Sequence, residues 1–210
     1  MNTENLIRAL ATDGARPVIP IGRTLSRALG VGIILAALSL LIRHPRADLA
    51  QAFSTARFVF KLVVMLALAA TSAVLLVDAA RPVSPRRRRW TVLLAPLLLA
   101  GGIIVELMTV PPQAWPAELI GHHPAYCLIF IPLISLAPMA CLLLALRSGA
   151  PEHPALAGAA AGVLAAAVGA AVYALTCPND SPLFVATWYS TAIAIVMATS
   201  ASIGRNLLRW

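Results

Sequence analysis

The amino-acid sequence predicts an all-α, polytopic membrane protein, a bundle of six transmembrane helices with both termini in the cytoplasm. Three observations carry this expectation: composition, the spacing of apolar runs, and the placement of basic residues. The chain has 210 residues, of which 60% are hydrophobic and 11% charged. Its mean hydropathy is +0.86. Soluble domains carry about 25% charged residues, so this much apolar surface calls for lipid as its solvent.

A bilayer crossing takes about 20 apolar residues in helical form. Six runs meet that length, with ends read at about Leu25–Ile42, Phe58–Asp78, Trp90–Val110, Tyr126–Leu146, Ala155–Thr176 and Leu183–Ile203. Prolines 82, 85, 111, 112, 151, 154, 178 and 182 fall between the runs, where helices stop or start. The domain reading is a cytoplasmic tail over residues 1–24, then a six-helix domain over 25–210. The first run begins too far from the N-terminus for an ordinary secretory signal and is expected to stay as an anchor.

Basic residues set the expected orientation. Arg81, the run Arg86–Arg89 and Arg147 share one side with the arginines of the two tails. The other side holds Arg43, Arg46, Arg57 and Lys61. Excess Lys and Arg mark the cytoplasmic side. The net charge of +8 is thereby explained by topology and anionic headgroups. No basic and aromatic platform suggests direct nucleic-acid binding.

Packing signals follow. The fifth run carries Gly158-Ala-Ala-Ala-Gly162 and Gly169, a small-residue face suited to close helix association in lipid. Pro132 and Pro138 should kink the fourth run or free carbonyls, and Pro96 should do the same to the third. Lys61 and Glu106 sit at similar depth and are expected to pair, or Lys61 to snorkel to the interface. Asp78 reads as an interfacial charge beside Arg81.

The three cysteines form no CxxC and no zinc ligand set. No cofactor and no resident metal are expected. Cys127 opens the fourth run and Cys177 follows the fifth, both on the non-cytoplasmic side, where disulfides persist. They are a candidate disulfide, or a thiol pair responding to oxidant or soft metal. The alternative is two unpaired small residues. Cys141 lies about 21 Å deeper along the same helix as Cys127 and reads as a buried apolar residue. His122 and His123 are either added ligands or a solvated turn.

In the tail, Thr3 is positioned to cap a short helix. Its apolar face holds Leu6, Ile7 and Leu10, with Glu4 and Arg8 nearby. Such a segment suits docking in a groove of a soluble protein, or lying on headgroups.

The stretches NTENLIRALATD, LIFIPLISLAPMACLLLALRSGAPEHPALAG and YALTCPNDSPLFVATWY…GRNLLRW resemble the negative-regulator-of-sigma-F family. The resemblance covers essentially the whole chain. It implies a six-span anti-sigma factor of the bacterial inner membrane, not an enzyme. It implies an extracytoplasmic-function sigma factor as partner, held through the N-terminal segment with Leu6, Ile7, Arg8 and Leu10. It also implies that Cys127 and Cys177 sense stress outside the cytoplasm and release the sigma factor, while Cys141 lies outside that pattern. Two other classes remain in view. A quinone-coupled thiol oxidoreductase would want a relay such as CxxC. A small transporter would want a polar midplane site, and the spans offer little beyond Ser39, Thr71, Ser72 and Ser135.

Overall fold

A computed structural model describes residues 3, 4, 7, 20–80, 86–149 and 151–209, with the side chains of residues 86–89 left aside. Among these residues every regular element is helical. Six helices are long and apolar enough to cross a membrane. They are α1 (Ile21–Ile42), α2 (Ala56–Ala79), a third over Trp90–Thr109 whose α-helical part is α3 (Leu94–Thr109), α4 (Pro124–Leu146), α5 (Pro154–Ala174) and α6 (Pro182–Leu207). A 3-10 segment, Arg86–Leu93, leads into α3, and a short helix, Trp115–Ile120, lies between α3 and α4.

The expected runs coincide with these helices to within a few residues. The prolines explain several starts. Pro124, Pro154 and Pro182 each open a helix, where a missing N–H costs nothing and the fixed φ is already helical. Pro96 follows a change of helix type: the run is 3-10 over Trp90–Leu93 and α-helical from Leu94, a local departure of the kind expected near a proline. Pro132 and Pro138 do lie inside α4, which continues through them. Glycine at position 32 of α1 lets the Pro138 ring approach, since a Cβ there would stand 2.7 Å from the proline Cα.

The centre of the bundle is α5. It buries thirteen of its 21 residues, whereas α3 buries only Ala95 and Glu106. Around α5 pack α6, α2 and α4, with α1 resting on α4 and α3 on α2. The small-residue expectation holds at the α5–α6 seam. A Cβ on Gly158 would meet the Ser200 carbonyl oxygen at 2.6 Å, and one on Gly204 would meet the Gly158 Cα at 2.8 Å. Ser200 Oγ donates to the Gly158 carbonyl across the seam at 2.7 Å. Backbone contact of this kind is what small residues permit. The peripheral faces carry large apolar side chains outward, among them Ile34, Leu41, Leu97, Met108 and Leu144.

Asp78, at the end of α2, is buried, and its Oδ2 has no hydrogen-bond partner among the described residues; Arg81 lies outside them. Thr3, Glu4 and Ile7 are helical, so Thr3 lies within the tail helix instead of capping it. Ile7 is exposed. Leu6, Arg8 and Leu10 lie outside the described residues.

The seam makes a paired prediction. Gly158→Ala drives a methyl into a neighbouring backbone and should cost about 1–3 kcal/mol. Gly101→Ala, where a Cβ meets nothing within 4 Å, should instead stabilise by about 0.5–1 kcal/mol through helix propensity. Unfolding midpoints in detergent check both signs. Equal effects at the two positions would remove the seam as the organising contact.

Candidate functional site

One end of the bundle gathers a polar cluster that begins with a lysine. Lys61, on α2, is fully buried. An ammonium tolerates that only with oxygen partners in place. They come from the connection between α5 and α6, where Pro178 lacks a backbone N–H and helical pairing stops. Lys61 Nζ donates to the carbonyls of Cys177 at 3.2 Å and Asn179 at 3.1 Å, and to Asp180 Oδ1. The other oxygen, Asp180 Oδ2, accepts from Arg46 Nη1 at 2.8 Å. Arg46 also bonds both oxygens of Asp48, and its Nη1 approaches the Cys177 carbonyl at 3.4 Å. Its backbone N–H donates to the Leu175 carbonyl at 3.1 Å. Those two carboxylates hold the Arg46 guanidinium firmly charged.

The expected pairing of Lys61 with Glu106, and its alternative of snorkelling, are both corrected here. Glu106 bonds Arg57 at 2.9 Å and accepts from Ser181 Oγ at 3.2 Å. Arg57 stands one turn before Lys61 on the same face of α2 and takes the acid that Lys61 was expected to meet. Lys61 turns instead toward the Cys177–Asp180 connection.

The two thiols sit against this cluster. Cys127 occupies the first turn of α4, and Cys177 lies just beyond α5. Both are free and buried, at 0% and 2% exposure, and each thiol acts on the other's protonation. Cys127 Sγ also lies 3.8 Å from Tyr173 Oη. The Tyr189 hydroxyl is buried beside Cys177 and has no hydrogen-bond partner among the described residues. An aromatic wall closes the pair in. Phe130 and Tyr173 stack at 6.3 Å, and Tyr173 meets Tyr189 at 6.0 Å. The Arg43 guanidinium caps it, 3.6 Å from the Phe130 ring centre.

These neighbours act on Cys177. The hydrogen bond from Cys127 and the Lys61 ammonium favour its thiolate and outweigh burial, so its pKa is lowered to about 6. Cys177 is thus a nucleophilic sulfur with a second thiol beside it. That arrangement suits oxidation to a disulfide, or capture of a soft cation between two sulfurs.

The histidines do not join the thiols. His122 exchanges backbone bonds with the Asn179 side chain, donating at 3.0 Å and accepting at 2.7 Å. His123 stacks on Tyr126. Gly121 has φ +57°, and a Cβ there would lie 2.6 Å from the Phe184 ring, so glycine is required for this turn. Among the described residues no group of three or more His, Cys, Asp or Glu is set to hold a metal. A cavity of about 730 Å³ opens beside the cluster, bordered by Arg57, Glu118, His122, Asn179 and Asp180. Cys141 is half-buried within α4 rather than buried, and takes no part.

The structure therefore unites Cys127 and Cys177 and adds Lys61, Asp180, Arg46, Tyr173 and Tyr189, which sequence reasoning did not assign to the site. The available signal was a lysine six residues into an apolar helix, which requires an acid at its own depth. Asp180 was there, in the same segment as Cys177.

The sequence profile of the family described as "Negative regulator of sigma F" matches residues 10–210. The chain is 34% identical to the "Anti-sigma-F factor NrsF" of Caulobacter vibrioides, over the full length of both. It is 32% identical to the "Probable anti-sigma-F factor NrsF" of Azospira oryzae, again over the full length of both. No solved structure matches the chain.

Methylthiolation of Cys177, located by mass spectrometry, should rise through a midpoint near pH 6. Cys127→Ala should move that midpoint up the most, and Lys61→Met should also move it toward the ordinary thiol value of about 8.5. A profile unchanged in both variants would remove the thiolate assignment. The sign for stability follows. With the folded value depressed, the thiolate's contribution is complete above about pH 8.5 and is lost as pH falls toward 6. Lys61→Met leaves Asp180 to Arg46 alone and takes the Lys61 donor from the Asn179 carbonyl, and should cost about 1–3 kcal/mol.

Proposed function

The chain belongs to the negative-regulator-of-sigma-F family, and we propose that it is a multi-pass anti-sigma factor of the bacterial inner membrane, with both termini cytoplasmic. Residues 1–24 are its cytoplasmic tail, and Leu6, Ile7, Arg8 and Leu10 form the face that holds an extracytoplasmic-function sigma factor. Cys127 and Cys177, outside the cytoplasm, sense oxidant or soft metal and trigger release. The outward apolar faces of six long helices, the excess of basic residues at one end and the full-length relatives support the reading.

The observation that carries it is the clamp between α1 and the cysteine segment. The tail runs directly into α1. At its far end, just past Ile42, Arg46 bonds the carbonyls of Leu175 and Cys177 and the carboxylate of Asp180. A change at Cys177 thus reaches one end of a helix whose other end carries the tail. At that other end Ile21 packs near Gly149, in the turn that follows α4, so the helix bearing Cys127 meets the tail's root as well.

Oxidation by a peroxide proceeds in two steps. The Cys177 thiolate attacks one peroxide oxygen and becomes a sulfenic acid, with hydroxide leaving. Cys127 then attacks that sulfur, a disulfide forms and water leaves. Two thiols have lost two electrons and two protons, and the peroxide has become two waters. Drawing the sulfurs together displaces the Cys177 carbonyl from Lys61 and Arg46. Moving the sigma factor from 99% bound to 99% free needs about 5.5 kcal/mol of differential affinity. A disulfide supplies about 2–4 kcal/mol, and the Lys61 and Arg46 contacts it breaks subtract from that, so full release needs further coupling.

The hydroxyls of Ser39, Thr71, Ser72 and Ser135 all bond carbonyls of their own helices, which leaves a transporter reading without a polar site.

The decisive experiment is capture of the sigma factor on membranes bearing the chain, with and without peroxide. The wild type should lose the sigma factor on oxidation, and Cys127→Ser/Cys177→Ser should keep it. Deleting residues 1–12 should abolish capture in every state. Arg46→Met should still capture the sigma factor and form the disulfide, yet release less of it, roughly tenfold less by equilibrium constant for each 1.4 kcal/mol of coupling lost. No capture by the wild type in either state would remove the anti-sigma reading.

A further inference from the structure

At the end of the bundle opposite the thiols, the α5–α6 seam opens into a cavity of about 440 Å³ bordered by His153, Pro154, Ala155, Leu156, Arg205 and Arg209. Its chemistry is divided. One side is cationic: Arg205 and Arg209 are exposed, and neither makes an ion pair among the described residues. The other side is apolar: Leu156 is 60% exposed and lies beside Ala155. Glu152 is exposed next to His153 but does not line the cavity. The walls are closely packed. The seam contact at Gly158 and Gly204 lies directly above, and a Cβ on Gly204 would stand 3.1 Å from the Pro154 carbonyl. Leu208, 2% exposed, pins the backbone between the two arginines. His153 makes no capping bond at the start of α5, so its imidazole is not engaged there.

We propose that this cavity is a binding site for the phosphate of an anionic phospholipid. Resting on the membrane reading above, it places the site on the cytoplasmic leaflet. The guanidinium groups take the phosphate oxygens in forked hydrogen bonds, and the acyl chains descend over Leu156 and the outer face of α5. A free anion would use only the cationic half, and a neutral lipid only the apolar half. Basic cavities between helices at the cytoplasmic side are suited to such headgroups. By gripping both α5 and α6, the lipid would brace the seam on which the bundle is built.

The test is native mass spectrometry of the full chain in detergent, with phosphatidylglycerol, phosphatidylcholine or glycerol 3-phosphate added. The wild type should retain one phosphatidylglycerol at least tenfold better than phosphatidylcholine, with glycerol 3-phosphate displacing little of it. Arg205→Ala/Arg209→Ala should lose that retention, and Arg205→Lys/Arg209→Lys should keep part of it. Circular dichroism confirms that each variant is folded, and Arg23→Ala serves as a control that should not change retention. Equal retention of the two lipids overturns the site. So does efficient displacement by glycerol 3-phosphate, which would mark a free-phosphate site, and so does undiminished retention in the folded alanine variant. The membrane reading is scored apart from these, by resistance to alkaline extraction from cell membranes; release there would overturn that reading whatever the lipid result.

Discussion

The structure depends above all on the burial of one ammonium. Lys61 has no exposed surface, and stripping water from a charge costs several kcal/mol unless oxygens replace it. The replacement is two backbone carbonyls and a carboxylate, all from four consecutive residues, Cys177 to Asp180. A short connection is thereby fixed in space. Through Asp180 it holds Arg46, and through Arg46 the end of α1. The Cys177 sulfur is held near its partner by the same arrangement, and its thiolate is favoured by the same charge. Structure and reactivity at this end of the molecule therefore share one cause.

The opposite half of the molecule obeys a different constraint. There the α5–α6 seam relies on absent side chains: Gly158 and Gly204 bring two backbones into contact, with a single serine hydroxyl across them. One end is held by directed, charged bonds. The other is held by shape. At the charged end Arg46 ties the segment after α1 to the α5–α6 connection, while α1 itself packs on α4.

Much of this was legible in the sequence. Six runs of the right length, with prolines between them, identify six helices because apolar length and helix breaking are local properties. That Cys127 and Cys177 lie at one end of the bundle could be read because each sits at the end of a helix on that side. What escaped was the partner of Lys61. Depth along a helix can be counted from sequence, but rotation about its axis cannot. Arg57 and Lys61 share a face of α2, and only packing decides which of them meets Glu106 and which meets Asp180.

The separation of Lys61 from Asp180 has a consequence for how the chain is made. The two residues are 119 positions apart. At about 5–20 residues per second, the carboxylate is synthesised on the order of ten seconds after the lysine. Throughout that interval α2 holds a cation whose intended ligands do not yet exist, so it has to linger beside water or a chaperoning surface. Nascent chains that stop short of residue 180 keep that orphan charge permanently. An unfinished bundle thus carries an uncompensated cation that the completed one does not.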